Sequence, residues 1–216
     1  MTHEHHGFIP AMGHDLLLPL YDPLLRLSGG DRARRGLIPQ ARVEAGQRVL
    51  DLGCGTGTLL RDLLRAHPGI TAAGIDPDPK ALERTRAKLE AEGLTAELVE
   101  ASAEELPFPD ASFDRVFSSL MFHHLPGELR GPALREVLRV LKVGGSLHLL
   151  DFAGEGERKD GFLGRTFHKQ HIAENYRGGL VRELEEAGFA GAREVTHRRL
   201  LFGFGRLGYF EGVRER

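Results

Sequence analysis

The stretch Val49-Leu50-Asp51-Leu52-Gly53-Cys54-Gly55-Thr56-Gly57 decides the fold of this chain. An apolar run typical of a buried strand reaches an acid, breaks into alternating glycines and continues into Thr58-Leu59-Leu60, the start of a predicted helix. Sheets of the α/β class bind ligands at such a turn, at the carboxyl end of a strand. Glycine suits the turn because a side chain would block a ligand's close approach or require an unfavourable positive φ. The stretch therefore predicts a ligand site at a strand end.

The glycine spacing separates three kinds of nucleotide site. A dinucleotide fingerprint, Gly-x-Gly-x-x-Gly, would place its third glycine where Thr58 stands. A phosphate-binding P-loop would end in Gly-Lys-Ser/Thr, and no lysine is near. Both sites are disfavoured, and the pattern that remains is Asp-x-Gly-x-Gly-x-Gly.

Composition narrows the classes of function. The chain has 216 residues, of which 41% are hydrophobic and 28% charged, as expected for one compact globular domain. A net charge of −2 gives no support for a nucleic-acid partner. The single cysteine, Cys54, cannot form an internal disulfide framework. The apolar run Leu16-Leu17-Leu18-Pro19-Leu20 is too short for a membrane span, and no signal-peptide pattern is visible, so we expect a cytoplasmic protein.

Two charged clusters lie in the N-terminal part of the chain. Three histidines stand within the first six residues, but terminal residues are usually loosely ordered and no further ligand is spaced for a metal. We therefore expect no metal site there. Arg32, Arg34 and Arg35 are possible anion contacts, although a solvated helix face is the favoured interpretation.

Apolar periodicity predicts strands that alternate with helices over residues 48–151. Such alternation predicts a parallel, doubly wound sheet. The predicted strands are Arg48–Leu52, Ile70–Ile75, Thr95–Ala101, Ser112–Ser119 and Leu147–Asp151. The predicted helices are Thr58–Ala66, one that begins at Asp78-Pro79, and Leu129–Leu141, which is followed by a turn at Gly144-Gly145.

The flanking segments predict the domain organisation. Residues 1–45 are rich in Leu and Arg and punctuated by prolines, so we expect an N-terminal helical cap over the site. Residues 46–152 form the predicted core. Residues 153–216 form a variable, substrate-side segment, with a helix at Ala173–Ala187 and an antiparallel hairpin of Gly191–Leu201 and Arg206–Val213.

The pattern Asp-x-Gly-x-Gly-x-Gly resembles motif I of the class I S-adenosylmethionine (SAM) methyltransferases. Later segments agree with the family in order: Gly74-Ile75-Asp76, residues 101–108, Phe113–Phe117 with Phe122–Leu125, and Leu141–Gly145. The resemblance covers residues 47–152, and it is strongest to the ubiquinone/menaquinone C-methyltransferase-like group (methyltransferase type 11). It implies an α/β, Rossmann-like fold with a mostly parallel, seven-stranded sheet that ends in the antiparallel hairpin.

The resemblance also implies residues for the methionine and ribose parts of SAM, whose product would be S-adenosylhomocysteine. Gly53, Gly55 and Gly57, with Cys54 in the same loop, would let the main chain lie against the methionine part. Asp51 would face the ammonium group, directly or through water; alternatively, it only caps the turn. Asp76 would accept both ribose hydroxyls with its two oxygens.

The remaining cofactor residues are also implied by the resemblance. Pro77 would lie against the adenine face, and the backbone N–H of Ala103 would contact the ring. Ser102 departs from the family, which commonly has aspartate there, so we expect a weaker or shifted contact. Ser119 and Leu120 would border the sulfonium through their carbonyl groups.

Methyl transfer is an in-line displacement, for which a protein mostly supplies alignment and desolvation. A general base is needed only if the acceptor carries its proton into the reaction. His124 is the first candidate catalytic residue and His123 the second; either could instead only bond a backbone carbonyl. Asp151 lies where metal-dependent relatives place a ligand, but without companion ligands we expect no metal. In the variable stretch, His168, His171 and Tyr176 could meet the acceptor.

Absent motifs narrow the acceptor. No Asn-Pro-Pro-Tyr-type motif follows the fourth strand, which argues against methylation of DNA bases. We expect a small-molecule acceptor, such as an apolar ring or a lipid-like compound, and a monomer or homodimer. The alternatives are a non-catalytic SAM-binding module that regulates a partner and, disfavoured by the glycine spacing, a nicotinamide-dependent dehydrogenase.

Overall fold

The computed structural model describes residues 29–153, 179–200 and 206–216. The predictions for the histidine-rich N-terminus, the Leu16–Leu20 run and the acceptor candidates His168, His171 and Tyr176 lie outside these residues. Within them, no helix is long and apolar enough to cross a membrane.

The described residues contain a seven-stranded sheet with the order β3-β2-β1-β4-β5-β7-β6. Strands β1 to β5 run parallel, whereas β7 is antiparallel to both β5 and β6. The strand bounds are β1 Arg48–Leu52, β2 Thr71–Asp76, β3 Glu97–Glu100, β4 Phe113–Ser119, β5 Leu141–Phe152, β6 Ala190–Arg199 and β7 Arg206–Val213. The predicted mostly parallel sheet and its antiparallel hairpin are confirmed.

Helices flank the strands in the order that the sequence predicts. Their bounds are α1 Gly30–Arg35, α2 Leu37–Ala41, α3 Thr58–Ala66, α4 Pro79–Glu90, α5 Gly127–Val140 and α6 Gly179–Ala187. A 3₁₀ turn, Phe122–His124, follows β4. The predicted start of α4 is correct, since the Asp78 side chain accepts a hydrogen bond from the backbone N–H of Lys80 and Pro79 is the first helical residue.

Apolar side chains cover both faces of the sheet. In β1, Leu50 and Leu52 belong to one buried cluster, while the intervening Val49 belongs to another. Because successive side chains of a strand point to opposite faces, this division places a core on each side. The sheet is therefore doubly wound, and its carboxyl edge is the place left for a ligand.

The prediction for the fifth strand is wrong at its start. Strand β5 begins at Leu141 instead of Leu147, and Gly144-Gly145 lies inside it as a bulge, where the pairing with β4 shifts register. Gly144 has a φ of 80°, and its N–H donates to the carbonyl of Arg214 over 2.7 Å. In the sequence, a turn and a bulge look alike here because both need glycine at positive φ. Only the C-terminal chain, which pairs with the bulge, distinguishes the two.

Candidate active site

The glycine turn after β1 adopts backbone angles that explain its sequence. Gly53, Gly55 and Gly57 have φ values of 69°, 54° and 72°. These angles lie in the left-handed region, which costs other residues about 1–2 kcal/mol. The N–H of Cys54 donates to the carbonyl of Ile75 over 2.8 Å, which ties the turn to the end of β2.

The three glycines differ in the space around them. A Cβ on Gly53 would lie 2.4 Å from Cγ of Met121, and one on Gly57 would lie 2.5 Å from Cγ2 of Thr85. A Cβ on Gly55 would meet no atom within 4 Å. Packing thus requires the outer two glycines, while the central glycine borders open space that a ligand can enter.

Asp51 is a buried carboxyl with an unpaired oxygen. It is 1% exposed, and its Oδ2 has no hydrogen-bond partner among the described residues. Burial raises the pKa of Asp51 to about 7; the charge of Arg34 opposes this shift and that of Asp76 adds to it. A buried carboxyl oxygen without a partner is costly, so Asp51 favours a cationic ligand.

Asp76 closes the turn from the neighbouring strand. Its Oδ2 accepts the N–H of Gly55 over 2.8 Å, and its Oδ1 accepts the N–H of Asp78 over 3.0 Å. A carboxylate oxygen can accept more than one hydrogen bond, so both oxygens can still accept from the two hydroxyls of a ribose. Burial raises the pKa of Asp76 despite the two backbone bonds, which lower it.

Helix α4 holds the turn on its other side. The Thr85 hydroxyl donates to the carbonyl of Gly55 over 2.8 Å. Lys88 donates to the Thr58 hydroxyl over 3.1 Å and also to the Thr56 carbonyl. Neither residue is recognisable from the sequence, because a Thr and a Lys on a helix carry no motif of their own.

The predicted adenine loop follows β3. Ser102 and Pro77 are exposed, while Ala103 is buried. Helix α5 fixes this loop: Arg139 donates to the carbonyls of Leu106 and Phe108 over 2.9 and 2.8 Å, and Glu136 accepts the N–H of Leu106 over 2.9 Å. No sequence motif marks Glu136 and Arg139 for this role.

Arg34 of α1 corrects the expectation of a solvated helix face. Arg32 and Arg35 are exposed, but Arg34 is half-buried. Its Nε donates to the hydroxyl of Ser119 over 3.2 Å, at the carboxyl end of β4. The described end of the predicted N-terminal cap therefore reaches the site edge.

The backbone turns sharply where β4 ends. Leu120 has a φ of 58°, and its N–H donates to the carbonyl of Leu150 over 2.8 Å. A non-glycine residue held at positive φ stores about 1–3 kcal/mol of strain, and such strain is frequent at ligand sites. Ser119 and Leu120 thus lie with the glycine turn at the carboxyl edge of the sheet.

His123 and Asp151 form a buried pair. The Nδ1 of His123 lies 2.8 Å from Oδ1 of Asp151, whose Oδ2 accepts the backbone N–H of His123 over 3.1 Å. Burial would raise the pKa of Asp151, but His123 and the hydrogen bonds outweigh it and hold the pKa below its ordinary value. His123 thus bonds a carboxylate, and not a backbone carbonyl as in the alternative that the sequence leaves open.

His124 packs on this pair, with its ring centroid 4.0 Å from that of His123. Within residues 29–153, 179–200 and 206–216, no group of three or more His, Cys, Asp or Glu side chains could hold a metal ion. Asp151 lies where metal-dependent relatives place a ligand, and in this chain it accepts hydrogen bonds from His123.

Comparison with known proteins finds relatives that are described as methyltransferases. Residues 49–145 match a family model described as a methyltransferase domain. A demethylmenaquinone methyltransferase of Thermus thermophilus is 37% identical over 168 residues, which cover 76% of this chain and 74% of the relative. The protein of the same name in Deinococcus radiodurans is 35% identical over 179 residues, which cover 82% and 70%.

A solved structure agrees with the fold. The SAM-dependent methyltransferase SibL, in its apo form, superposes with a TM-score of 0.74 at 23% identity, and the match covers 96% of this chain and 60% of SibL. At this identity the likeness concerns the fold alone.

Proposed function

Because this chain belongs to the class I SAM-dependent methyltransferases, in the ubiquinone/menaquinone C-methyltransferase-like group, we propose that its acceptor is a hydroquinone-type aromatic ring. The protein is an enzyme that transfers a methyl group from SAM to a small molecule. The buried His123–Asp151 pair carries the proposal, since a phenolic acceptor has a proton to lose. The relatives' names, demethylmenaquinone methyltransferases, support the same acceptor class.

In the proposed cofactor site, the glycine turn lies against the methionine part of SAM. Asp51 bonds the ammonium group and Asp76 the ribose hydroxyls. Pro77, Ser102 and Ala103 hold the adenine. Ser119 and Leu120 border the sulfonium, which supplies an electrophilic methyl group. The unpaired Oδ2 of Asp51 and the open space at Gly55 support this assignment.

We assign the general base to His123 in preference to His124. Asp151 accepts the Nδ1 proton of His123, which leaves Nε2 as the proton acceptor. A phenolic hydroxyl, with an ordinary pKa of about 10, keeps its proton at neutral pH. The ring is therefore a poor nucleophile until a base removes the hydroxyl proton.

The proton balance on this chain is simple. His123 takes the hydroxyl proton, and the freed electron pair raises the electron density on the ring carbon that receives the methyl group. As this carbon gains the methyl group, the S–CH₃ bond breaks and a neutral thioether leaves. The carbon then releases its own hydrogen as a proton to solvent, which restores an aromatic phenolate, and the phenolate recovers the hydroxyl proton from His123. The protein contributes alignment, exclusion of water and two proton transfers.

We also propose that residues 1–45 cap the site and that residues 153–216 shape its acceptor side. The hydrogen bond from Arg34 to Ser119 supports the position of the cap.

The protein is further proposed to work in the cytoplasm as a monomer or homodimer. Its net charge of −2 supports the proposal that it has no nucleic-acid partner. The comparisons give no support to a non-catalytic regulatory module, since the named relatives are methyltransferases.

An acceptor assay tests the proposal. The protein is incubated with SAM labelled in its methyl group and with a short-chain demethylmenaquinone, either reduced or oxidised. We expect label only in the reduced form, on a ring carbon located by NMR, because the oxidised ring has no hydroxyl proton to lose. Label on oxygen, or no transfer to the reduced compound by a protein that binds S-adenosylhomocysteine, would overturn the acceptor assignment.

A further inference from the structure

Helix α1 carries three arginines, of which one turns toward the sheet. Arg32 and Arg35 are exposed, whereas the side chain of Arg34 is only 19% exposed. Its Nε donates to the Ser119 hydroxyl over 3.2 Å, and one terminal nitrogen, Nη1, donates to the Asp31 carboxylate over 3.0 Å. In the described part of the chain, the other terminal nitrogen has no hydrogen-bond acceptor. The guanidinium is thus held from two sides and keeps donors to spare.

A charge of opposite sign lies at the neighbouring strand end. Asp51 is on β1, which pairs with β4, the strand that ends at Ser119. The charge of Arg34 acts on the Asp51 carboxyl, yet among the described residues no ion pair joins them, and Oδ2 of Asp51 is buried without a partner. A cationic side chain and a buried carboxyl with an unpaired oxygen therefore lie at the ends of neighbouring strands without a direct ion pair.

This arrangement matches a zwitterionic amino acid. We propose that Arg34 binds the carboxylate of the methionine part of SAM while Asp51 binds its ammonium group. A guanidinium suits the first role because its planar fork matches the two oxygens of a carboxylate. The inference rests on the proposed position of the methionine part over the glycine turn.

Two ligands separate this role from a structural one. S-Adenosylhomocysteine has the amino-acid group, and 5′-methylthioadenosine lacks it. By titration calorimetry, we expect Arg34→Gln to weaken S-adenosylhomocysteine binding about tenfold or more, because charged hydrogen bonds are lost. Binding of 5′-methylthioadenosine should stay within about twofold. The matched control, Arg35→Gln on the exposed face of the same helix, should change neither affinity.

A third ligand isolates the carboxylate. Decarboxylated S-adenosylhomocysteine keeps the amine, so Arg34→Gln should not weaken it, whereas Asp51→Asn should weaken it together with the parent compound. Arg34→Lys, which keeps the charge without the fork, should lie between wild type and Arg34→Gln and serves if the glutamine variant does not fold.

Three results would overturn the proposal. Equal losses for S-adenosylhomocysteine and 5′-methylthioadenosine in both Arg34 variants would show that Arg34 only supports Ser119. Unchanged affinity for S-adenosylhomocysteine would remove Arg34 from the site. A wild-type protein that binds neither ligand would overturn the cofactor site itself, which distinguishes that failure from failure of the Arg34 assignment.

Discussion

Asp151 fixes His123 at two points: its Oδ1 lies 2.8 Å from the imidazole Nδ1, and its Oδ2 accepts the histidine's backbone N–H over 3.1 Å. Asp151 is fully buried, and its Oδ1 also accepts the N–H of Phe152 over 2.7 Å. The end of β5 therefore sets both the position and the tautomer of a side chain in the turn after β4.

Asp151→Asn should separate chemistry from cofactor binding. An amide cannot stabilise the charged imidazole, so we expect kcat to fall by about 10²-fold or more, while affinity for S-adenosylhomocysteine changes less than about twofold. Single-turnover transfer of labelled methyl measures the chemical step, and calorimetry measures cofactor binding.

His123→Gln should reduce kcat by a larger factor than His124→Gln. The reverse order would assign the base to His124.

Binding of SAM should depend on pH through Asp51, whose pKa burial raises to about 7. A bound ammonium favours the ionised carboxyl, so binding below this pKa releases a proton and the affinity falls as the pH falls. The decrease should approach about tenfold per pH unit. Calorimetry of S-adenosylhomocysteine in two buffers of different ionisation enthalpy counts the protons released. Asp51→Asn should remove the dependence, and a flat wild-type profile below pH 7 would contradict it.

Replacement by alanine should mainly affect stability at Gly57 and ligand binding at Gly55. Gly57→Ala brings a Cβ to 2.5 Å from Thr85, so we expect a clear decrease in Tm. Gly55→Ala meets no neighbour and should cost only the strain of a φ of 54°, about 1 kcal/mol, but it should weaken S-adenosylhomocysteine binding about tenfold. Gly93, with a φ of 66° and open space, is the matched control. Gly93→Ala should lower Tm like Gly55→Ala and leave binding unchanged.

His148 should make stability depend on pH. Its Nδ1 lies 3.2 Å from Nε2 of Gln40, and its Nε2 lies 2.9 Å from the Ser146 hydroxyl. Burial, aided by the charge of Arg115, lowers the pKa of His148 from 6.5 to about 4. The unfolded chain therefore takes up a proton first as the pH falls.

The free energy of unfolding should accordingly be complete above pH 6.5 and decrease toward pH 4, by up to about 1.4 kcal/mol per unit. Urea unfolding at several pH values measures the slope. His148→Gln should reduce it, whereas His197→Gln, on the half-exposed edge strand β6, should not. An unchanged slope in His148→Gln would show that other groups cause it.

The sequence by itself determined most of the sheet and the glycine turn. Apart from the start of β5, apolar periodicity located the described strands of the core to within about two residues, because burial of one face acts locally along each element. The positive φ values of Gly53, Gly55 and Gly57 follow from the glycine pattern, because the backbone freedom of glycine is also a local property. The bulge at Gly144-Gly145 escaped prediction, since only pairing with Arg214 distinguishes it from a turn.

Only the tertiary structure decided which polar side chains meet at the candidate site. Arg34 and Ser119 are 85 residues apart, and His123 and Asp151 are 28 apart, so no local pattern pairs them. Three arginines of one short helix are equivalent in sequence until the helix is oriented. The Tyr209 hydroxyl, on β7, donates to the carbonyl of Ala33 over 2.7 Å and contributes to that orientation. The C-terminal hairpin thus helps to place an N-terminal arginine at the carboxyl end of β4, because packing of distant elements sets the direction of each side chain.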